Sequence, residues 1–353
     1  MSALRSNPAL DGLRGLAVLG VLSFHCYWPV LRAGVLGVDL FFVLSGFLIT
    51  ALLLDEHARE GRVSLRAFYA RRARRLFPAL FVLLAFATAL PWLLPGFPLA
   101  HATRGAIPAV LLYIANWVQA FQLRPMGMLV HAWSLAIEEQ FYALVGPAVV
   151  AARRLRLTRA RGGAILLGLA AVVGVARAVG FARGASTEVL YHATVFRADA
   201  LLCGCALATV LKLAPAGPPP RWLHPLGVAS GIALAALAAA LTAESAFLYL
   251  GGFTLVASLS LAVVASAVYA PAAPLLSARP LAALGRISYG VYLWHLPLFV
   301  LADTYVPPFP GRDAAKFAAA IAVAAISFRF VERPFLSRSS HFRSWQPQEG
   351  RAL

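Results

Sequence analysis

The sequence has 353 residues, of which 61% are hydrophobic and only 13% are charged, and its formal net charge is +17. This composition excludes an ordinary soluble domain, because a soluble surface needs far more charged residues. Apolar runs long enough to cross a lipid bilayer recur along the whole chain, which predicts an all-α, polytopic membrane helix bundle. The arginines cluster between these runs, so the charge indicates cytoplasmic loops and no nucleic-acid partner.

Ten apolar runs are expected to cross the membrane. They lie near 13–30, 36–55, 76–96, 133–151, 162–182, 197–213, 225–243, 247–270, 287–304 and 314–331. A weaker run at 105–124 is excluded by charge, because counting it would place the arginine-rich segment 153–161 outside, against the positive-inside rule. We therefore expect 105–124 to be re-entrant or otherwise non-spanning, beside a polar cavity, with both chain termini in the cytoplasm.

The domain organisation follows from the same runs. Residues 1–336 are predicted to form one integral-membrane domain, and 337–353 a short basic cytoplasmic tail. Arg14 interrupts the first run and no cleavage site follows, so we do not expect a removable signal peptide. Cys203 and Cys205 would point to different faces of one helix, so no metal site is predicted.

Ionisable side chains inside the predicted spans are candidate functional groups, since a charge at mid-membrane costs about 2.5–3.5 kcal/mol even on insertion scales. They are Arg14, His25, Asp39, Glu138, Glu139, Arg197, Asp199 and His295. Structural roles compete with functional ones at several of them. Arg14 is compatible with an interface anchor, His25 with a bundle histidine, and Asp39 with a helix cap. Arg197 and Asp199 are equally compatible with pairing to each other.

Helix geometry relates three of these groups. Arg14 and His25 are eleven residues apart and share one helix face, about 16 Å from each other along the axis. Glu139 lies on a helix that runs in the opposite direction and reaches a depth similar to that of His25. A carboxylate beside a histidine fixes its tautomer and stabilises the imidazolium, as a general base requires. Glu138 is only one 1.5 Å step away, so the choice of partner stays open.

A series of motifs then suggests a family. These are LDGLRGLAVLGVLSFH (10–25), GVDLFFVLSGFLIT (37–50), YARRARRLFPAL (69–80), HAWSLAIEEQFYAL (131–144), RADALLCG (197–204), LGRISYGVYLWHLPL (284–298) and VERPF (331–335). In kind and order they resemble the acyltransferase-3 family, whose members are integral-membrane enzymes that O-acylate cell-surface glycans, lipid-linked sugars or macrolides. The resemblance implies ten spans in the bacterial plasma membrane. It also implies an acyl-CoA donor, with acetyl-CoA the expected one, that binds from the cytoplasm, and no permanently bound cofactor.

The resemblance also assigns roles to residues. The residues implied for catalysis are His25, as general base, with Glu139 and Glu138. Those implied for binding acyl-CoA are Arg14, Arg72 and Arg75. Those expected to position the substrate are Asp39, Trp133, Ser134, Tyr142, Arg197 and His295.

The expected activity is transfer of an acyl group to a hydroxyl of a sugar or of a glycosylated small molecule. The competing hypothesis is a transporter or flippase that uses the intramembrane Arg, His and Glu residues to handle substrate or protons. Such a protein is expected to show internal repeats and matched broken helices, neither of which the sequence contains. Many members of the family carry a C-terminal extracytoplasmic domain. Since this sequence stops shortly after its last run, we expect transfer within the bundle or delivery to a separate extracytoplasmic partner protein.

Overall fold

A computed structural model describes residues 7–26, 31–211, 220–269 and 274–337. Most of the predicted basic tail lies outside these residues. The described part of the chain forms helices and contains no β-strand. It is an all-α membrane bundle, as the composition predicts.

Within the described ranges, ten helices are 16 to 29 residues long. They are α1 (Pro8–His25), α2 (Leu36–Glu60), α3 (Leu65–Leu93), α6 (Trp133–Arg154), α7 (Arg159–Ala182), α9 (Thr194–Val210), α10 (Leu223–Ala240), α11 (Phe253–Tyr269), α13 (Ser288–Tyr305) and α14 (Arg312–Ser327). Four shorter α-helices lie between these in the described chain, α4 (Ala100–Leu111), α5 (Ala115–Ala120), α8 (Thr187–His192) and α12 (Arg279–Arg286), and α15 (Arg333–Ser337) follows the last of them. A 3₁₀ turn at Gly127–Ala132 leads into α6, and π-helical turns lie at Leu248–Gly252 and Phe328–Glu332.

Eight helical segments of the described chain are long and apolar enough to cross a membrane. They are Leu36–Glu60, Leu65–Leu93, Gly127–Arg154, Arg159–Ala182, Thr187–Val210, Leu223–Ala240, Leu248–Tyr269 and Arg312–Leu336. The remaining two long helices, α1 and α13, have 18 residues each. More than half of the residues in each are buried by neighbouring helices. Helices shielded from lipid in this way can carry the ionisable groups of a site.

The segment 105–124 is not one continuous helix, in agreement with the sequence prediction. Tyr113 and Gln122 adopt positive φ angles of 52° and 49°, which interrupt the helix on both sides of α5. Gln140 on α6 holds α5 in place, because its Nε2 donates to the Tyr113 carbonyl at 2.7 Å and to Asn116 Oδ1 at 2.9 Å. Thr194 donates in turn to Gln140 Oε1 at 2.6 Å, so the interrupted backbone is tied to α6 and α9.

Two glycines bring α2 and α9 into backbone contact. A Cβ atom on Gly46 would collide with the carbonyl of Leu201, and one on Gly204 would collide with the carbonyl of Val43. Only glycine permits this approach, because it has no side chain to separate the two backbones. The close packing brings polar groups on α2 within reach of groups on α9.

Candidate active site

Three buried or half-buried histidines from distant parts of the chain meet between α1, α13 and the 3₁₀ turn before α6. The ring centroid of His295 lies 4.9 Å from that of His25 and 5.3 Å from that of His131. His131 Nε2 donates to the Leu293 carbonyl at 3.1 Å, since a carbonyl can only accept. In the described part of the chain, no group of three or more His, Cys, Asp or Glu side chains is arranged to hold a metal ion.

The hydrogen bonds of the cluster assign the tautomer of His25. Its Nδ1 lies 2.9 Å from the carbonyl of Val21 and 3.3 Å from Nε2 of His295. His295 donates from Nδ1 to the carbonyl of Tyr292 at 2.6 Å, so its Nε2 carries a lone pair when the ring is neutral. Nδ1 of His25 therefore holds the proton, and Nε2 of His25 is left with its lone pair. This is the state that a general base needs.

A cavity of about 240 Å³ lies beside this cluster. His25, His131 and Tyr292 form one part of its wall, and Trp133 and Tyr191 form another. The Trp133 and Tyr191 ring centroids are 4.8 Å apart. His25 thus borders a space that a small polar molecule can enter, between α1 and the start of α6.

Ser134 is connected to the cavity through Tyr292. The Ser134 hydroxyl lies 2.6 Å from the Tyr292 hydroxyl, which donates to the carbonyl of His131 at 2.9 Å. Ser134 therefore donates to Tyr292, and both side chains are buried. The predicted positioning residues Trp133, Ser134 and His295 thus gather around His25.

The two adjacent glutamates belong to a second polar cluster. Arg72 Nε donates to Glu139 Oε1 at 2.7 Å, and the Arg72 guanidinium lies 3.3 Å above the centre of the Tyr142 ring. Ser45 donates to Glu138 Oε1 at 2.6 Å. Among the described residues, neither glutamate forms a hydrogen bond or ion pair with His25.

The expected pairing of His25 with Glu139 is therefore wrong in this structure. Matched depth fixes the height of two groups in the membrane, but not the direction in which each side chain points around its helix axis. Glu139 points to α3, where it meets Arg72, and His25 points to α13, where it meets His295.

The remaining predicted arginines lie on the same side as the glutamates. Arg14 Nε donates to Ser288 Oγ at 3.3 Å. Arg75 is half-buried and forms no ion pair or hydrogen bond with another described residue, although Arg14, Arg72 and Glu332 are within electrostatic reach. Guanidinium groups without carboxylate partners are suited to bind an anion such as phosphate.

Arg197 and Asp199 do not pair with each other, which was only one of the alternatives that the sequence left open. Arg197 pairs with Asp39 on α2 at 2.9 Å, and Asp199 pairs with Arg177 on α7 at 2.7 Å. Residues two apart on a helix point in opposite directions, so each finds its partner on a different neighbouring helix. Arg197 also lies over the ring of Tyr191, 5.1 Å from its centre, so the pair supports the cavity wall from behind.

Sequence reasoning did not single out two residues of this region. His131 begins the motif 131–144 and could have been found from its position directly before Trp133 and Ser134. Arg177 gave no such signal, because a lone arginine near the end of an apolar run is typical of an interface anchor.

The chain matches the model of a family described as an acyltransferase domain over residues 7–329. A Bacillus subtilis protein with the name "Putative peptidoglycan O-acetyltransferase YrhL" is 35% identical to it over 97% of this chain and 56% of that protein. The O-acetyltransferase OatA of Staphylococcus aureus is 32% identical over 99% of this chain and 60% of that protein. The chain therefore spans little more than half the length of these relatives. No solved structure matches it significantly.

Proposed function

The chain belongs to the acyltransferase domain family, and from this premise we propose that it is a membrane-embedded O-acetyltransferase. It transfers an acetyl group from acetyl-CoA to a hydroxyl of a glycan or of a glycosylated small molecule. The observation that carries the proposal is the position of His25, which borders a cavity while its Nδ1 is held by Val21 and His295. This arrangement leaves Nε2 as the basic atom.

The donor binds at the arginine cluster on the side of the bundle away from the cavity. Arg14 and Arg75 lie close enough to repel each other and are compensated only in part by nearby acidic groups. The phosphate groups of acetyl-CoA would relieve this repulsion and form charge-assisted hydrogen bonds with both guanidinium groups. Arginine-rich loops favour the cytoplasmic side, which is also where acetyl-CoA is made available. The pantetheine arm would then extend along α1 towards His25.

The reaction is a direct transfer. His25 Nε2 removes the proton of the acceptor hydroxyl, and the oxygen attacks the thioester carbonyl carbon. The carbon–sulfur bond breaks as the ester bond forms, and the imidazolium of His25 returns its proton to the departing CoA thiolate. General base catalysis of this kind contributes about 10²–10⁴-fold to the rate.

The neighbours of His25 have distinct roles in this scheme. His295 Nε2 accepts a hydrogen bond from the Nδ1–H of His25 and so fixes the ring, a role that a carboxylate often has in other enzymes. Glu139 holds Arg72 in position at the donor site, at 2.7 Å. Trp133 supplies an aromatic wall for the acceptor. The names of the relatives support a glycan acceptor, since one of them refers to peptidoglycan.

The proposal is tested with the purified protein in lipid nanodiscs, supplied with acetyl-CoA and soluble glycan acceptors. Release of CoA thiol is measured together with the mass of the product, which must increase by one acetyl group. We expect acceptor-dependent thiol release by the wild-type protein and a loss of at least tenfold in His25→Ala.

The matched control is His101→Ala, since His101 is an exposed histidine on α4, away from the cavity lining. This variant should retain wild-type turnover. The proposal fails if wild-type protein releases no thiol with any acceptor, or if His25→Ala and His101→Ala have equal activity.

A further inference from the structure

The charge of the cavity is opposite to that of the chain. The protein carries 31 lysines and arginines against 14 aspartates and glutamates. The cavity nevertheless has two glutamates, Glu188 and Glu244, and no lysine or arginine among its described lining residues. Among the described residues, no lysine or arginine lines this cavity, although the protein as a whole is strongly basic.

The two carboxylates both line the cavity, and both are at least partly exposed to solvent. Both are within electrostatic reach of Tyr249, which also lines it. The Glu188 side chain is 45% exposed, and its Oε2 lies 3.2 Å from Nδ1 of His192. Glu244 is exposed and has no ion-pair partner among the described residues. Arg197 also lies within electrostatic reach of Tyr249, but it is paired with Asp39 at 2.9 Å, so Glu244 keeps its negative charge without an ion-pair partner among the described residues.

The other walls favour a sugar ring. Trp133 and Tyr191 present aromatic surfaces, and Gln119 and Thr187 add polar groups that can hydrogen-bond to hydroxyls. The volume of about 240 Å³ is below the roughly 300–1,000 Å³ of sites for drug-sized ligands. Such a space suits a single pyranose unit, with His25 beside it.

We infer that this cavity selects a sugar unit without an anionic group, and that Glu188 and Glu244 are its specificity-determining residues. A carboxylate on the sugar would enter a cavity that two carboxylates line, and like charges repel, so its binding would be disfavoured. Hydroxyl and amino groups instead donate hydrogen bonds to the same glutamates. The inference rests on the proposed function for its view of the cavity as the acceptor site.

The test compares two probes that differ only at one carbon, methyl β-glucoside and methyl β-glucuronide. Their binding to the protein is followed by tryptophan fluorescence, which requires no acetyl transfer. Trp133→Phe identifies the signal from the cavity. We expect wild-type protein to bind the glucoside at least tenfold more tightly than the glucuronide. In Glu188→Gln/Glu244→Gln this ratio should fall below threefold, since glutamine keeps the hydrogen bonds and removes the charge.

The control is Glu60→Gln, at the exposed end of α2, which should keep the wild-type ratio. A variant that binds the glucoside with wild-type affinity is folded. If the double variant does not fold, the two single variants are measured instead, and each should give a ratio between tenfold and threefold. Equal binding of both probes by wild-type protein, or an unchanged ratio in the folded glutamine variants, overturns the inference.

Transfer assays separate this inference from the proposed function. Selective binding of the glucoside without consumption of acetyl-CoA contradicts the acetyltransferase and leaves the selectivity of the cavity intact. Equal acetylation of glucoside and glucuronide has the opposite meaning, because it supports the transferase and overturns the role of the two glutamates.

Discussion

His295 Nε2 lies 3.3 Å from His25 Nδ1, although the two residues are 270 positions apart in the sequence. The carbonyl of Tyr292 holds the other nitrogen of His295 at 2.6 Å, so the lone pair faces His25. When His25 takes a proton from the acceptor, its positive charge is therefore met by a hydrogen-bond acceptor fixed in place. In the proposed reaction, His295 acts through His25 and is a positioning residue.

Replacement of His295 should lower kcat with little change in the KM for acetyl-CoA. His295→Leu removes the acceptor for the Nδ1 proton, and we expect a fall in kcat of about tenfold or more. His295→Gln retains an oxygen that can accept this hydrogen bond and should recover part of the loss. Steady-state kinetics of both variants provide the measurement. Equal losses in the two variants, or an effect confined to KM, would show that His295 only fills space.

The ion pair between Arg72 and Glu139 should appear as energetic coupling in donor binding. Each single change, Arg72→Gln or Glu139→Gln, disturbs the guanidinium that lies over Tyr142 and should raise the KM for acetyl-CoA. The double variant should lose less than the sum of the single losses, with a coupling of about 0.5–3 kcal/mol.

Glu138 provides the control for this measurement, because its hydrogen bond is to Ser45. Glu138→Gln keeps that bond and should have a smaller effect on the KM for acetyl-CoA than Glu139→Gln. Identical kinetic effects of the two glutamine variants would mean that the carboxylates act as one unit.

The sequence predicted the architecture well because its signals are local. Apolar run length and arginine placement are properties of single segments, and they predict both the bundle and the interrupted segment 105–124. The motif spacing likewise predicts that Arg14 and His25 share α1. These features need no knowledge of how helices rotate against each other.

Partner choice could not be predicted in the same way. Asp39 meets Arg197 because Gly46 and Gly204 let α2 and α9 pack at backbone contact, which is a property of the assembled bundle. His25 meets His295 because α13 packs beside α1 at the depth where both residues lie. Sequence periodicity gives the face of one helix, but the neighbour that this face meets depends on the whole packing arrangement.

The orientation in the membrane can be measured at the connection between α6 and α7. Leu155→Cys should react only with reagents applied from the cytoplasmic side, because the segment 153–161 is rich in arginine. Leu155 is chosen because it is 72% exposed and because the next residue, Arg156, has a positive φ angle of 51°, where a substitution would add strain. Ala185→Cys, just beyond the other end of α7, serves as the control and should react only from outside. Reversed labelling of the pair would contradict cytoplasmic termini.

The buried pair of Arg177 and Asp199 should be essential for stability. The two side chains are 0% and 1% exposed, and Thr254 donates to the same carboxylate at 3.0 Å. Arg177→Met leaves the buried Asp199 carboxylate without its ion-pair partner, which costs about 3–5 kcal/mol in comparable pairs. Arg177→Met/Asp199→Asn removes both charges and should be more stable than Arg177→Met alone. The stability of the three proteins is compared by heating them in detergent and measuring the fraction that remains monodisperse.

The control is Arg183→Met, just beyond the exposed end of α7, which should be as stable as wild type. If Arg177→Met also matched wild type, the pair would make no net contribution to the stability of the bundle.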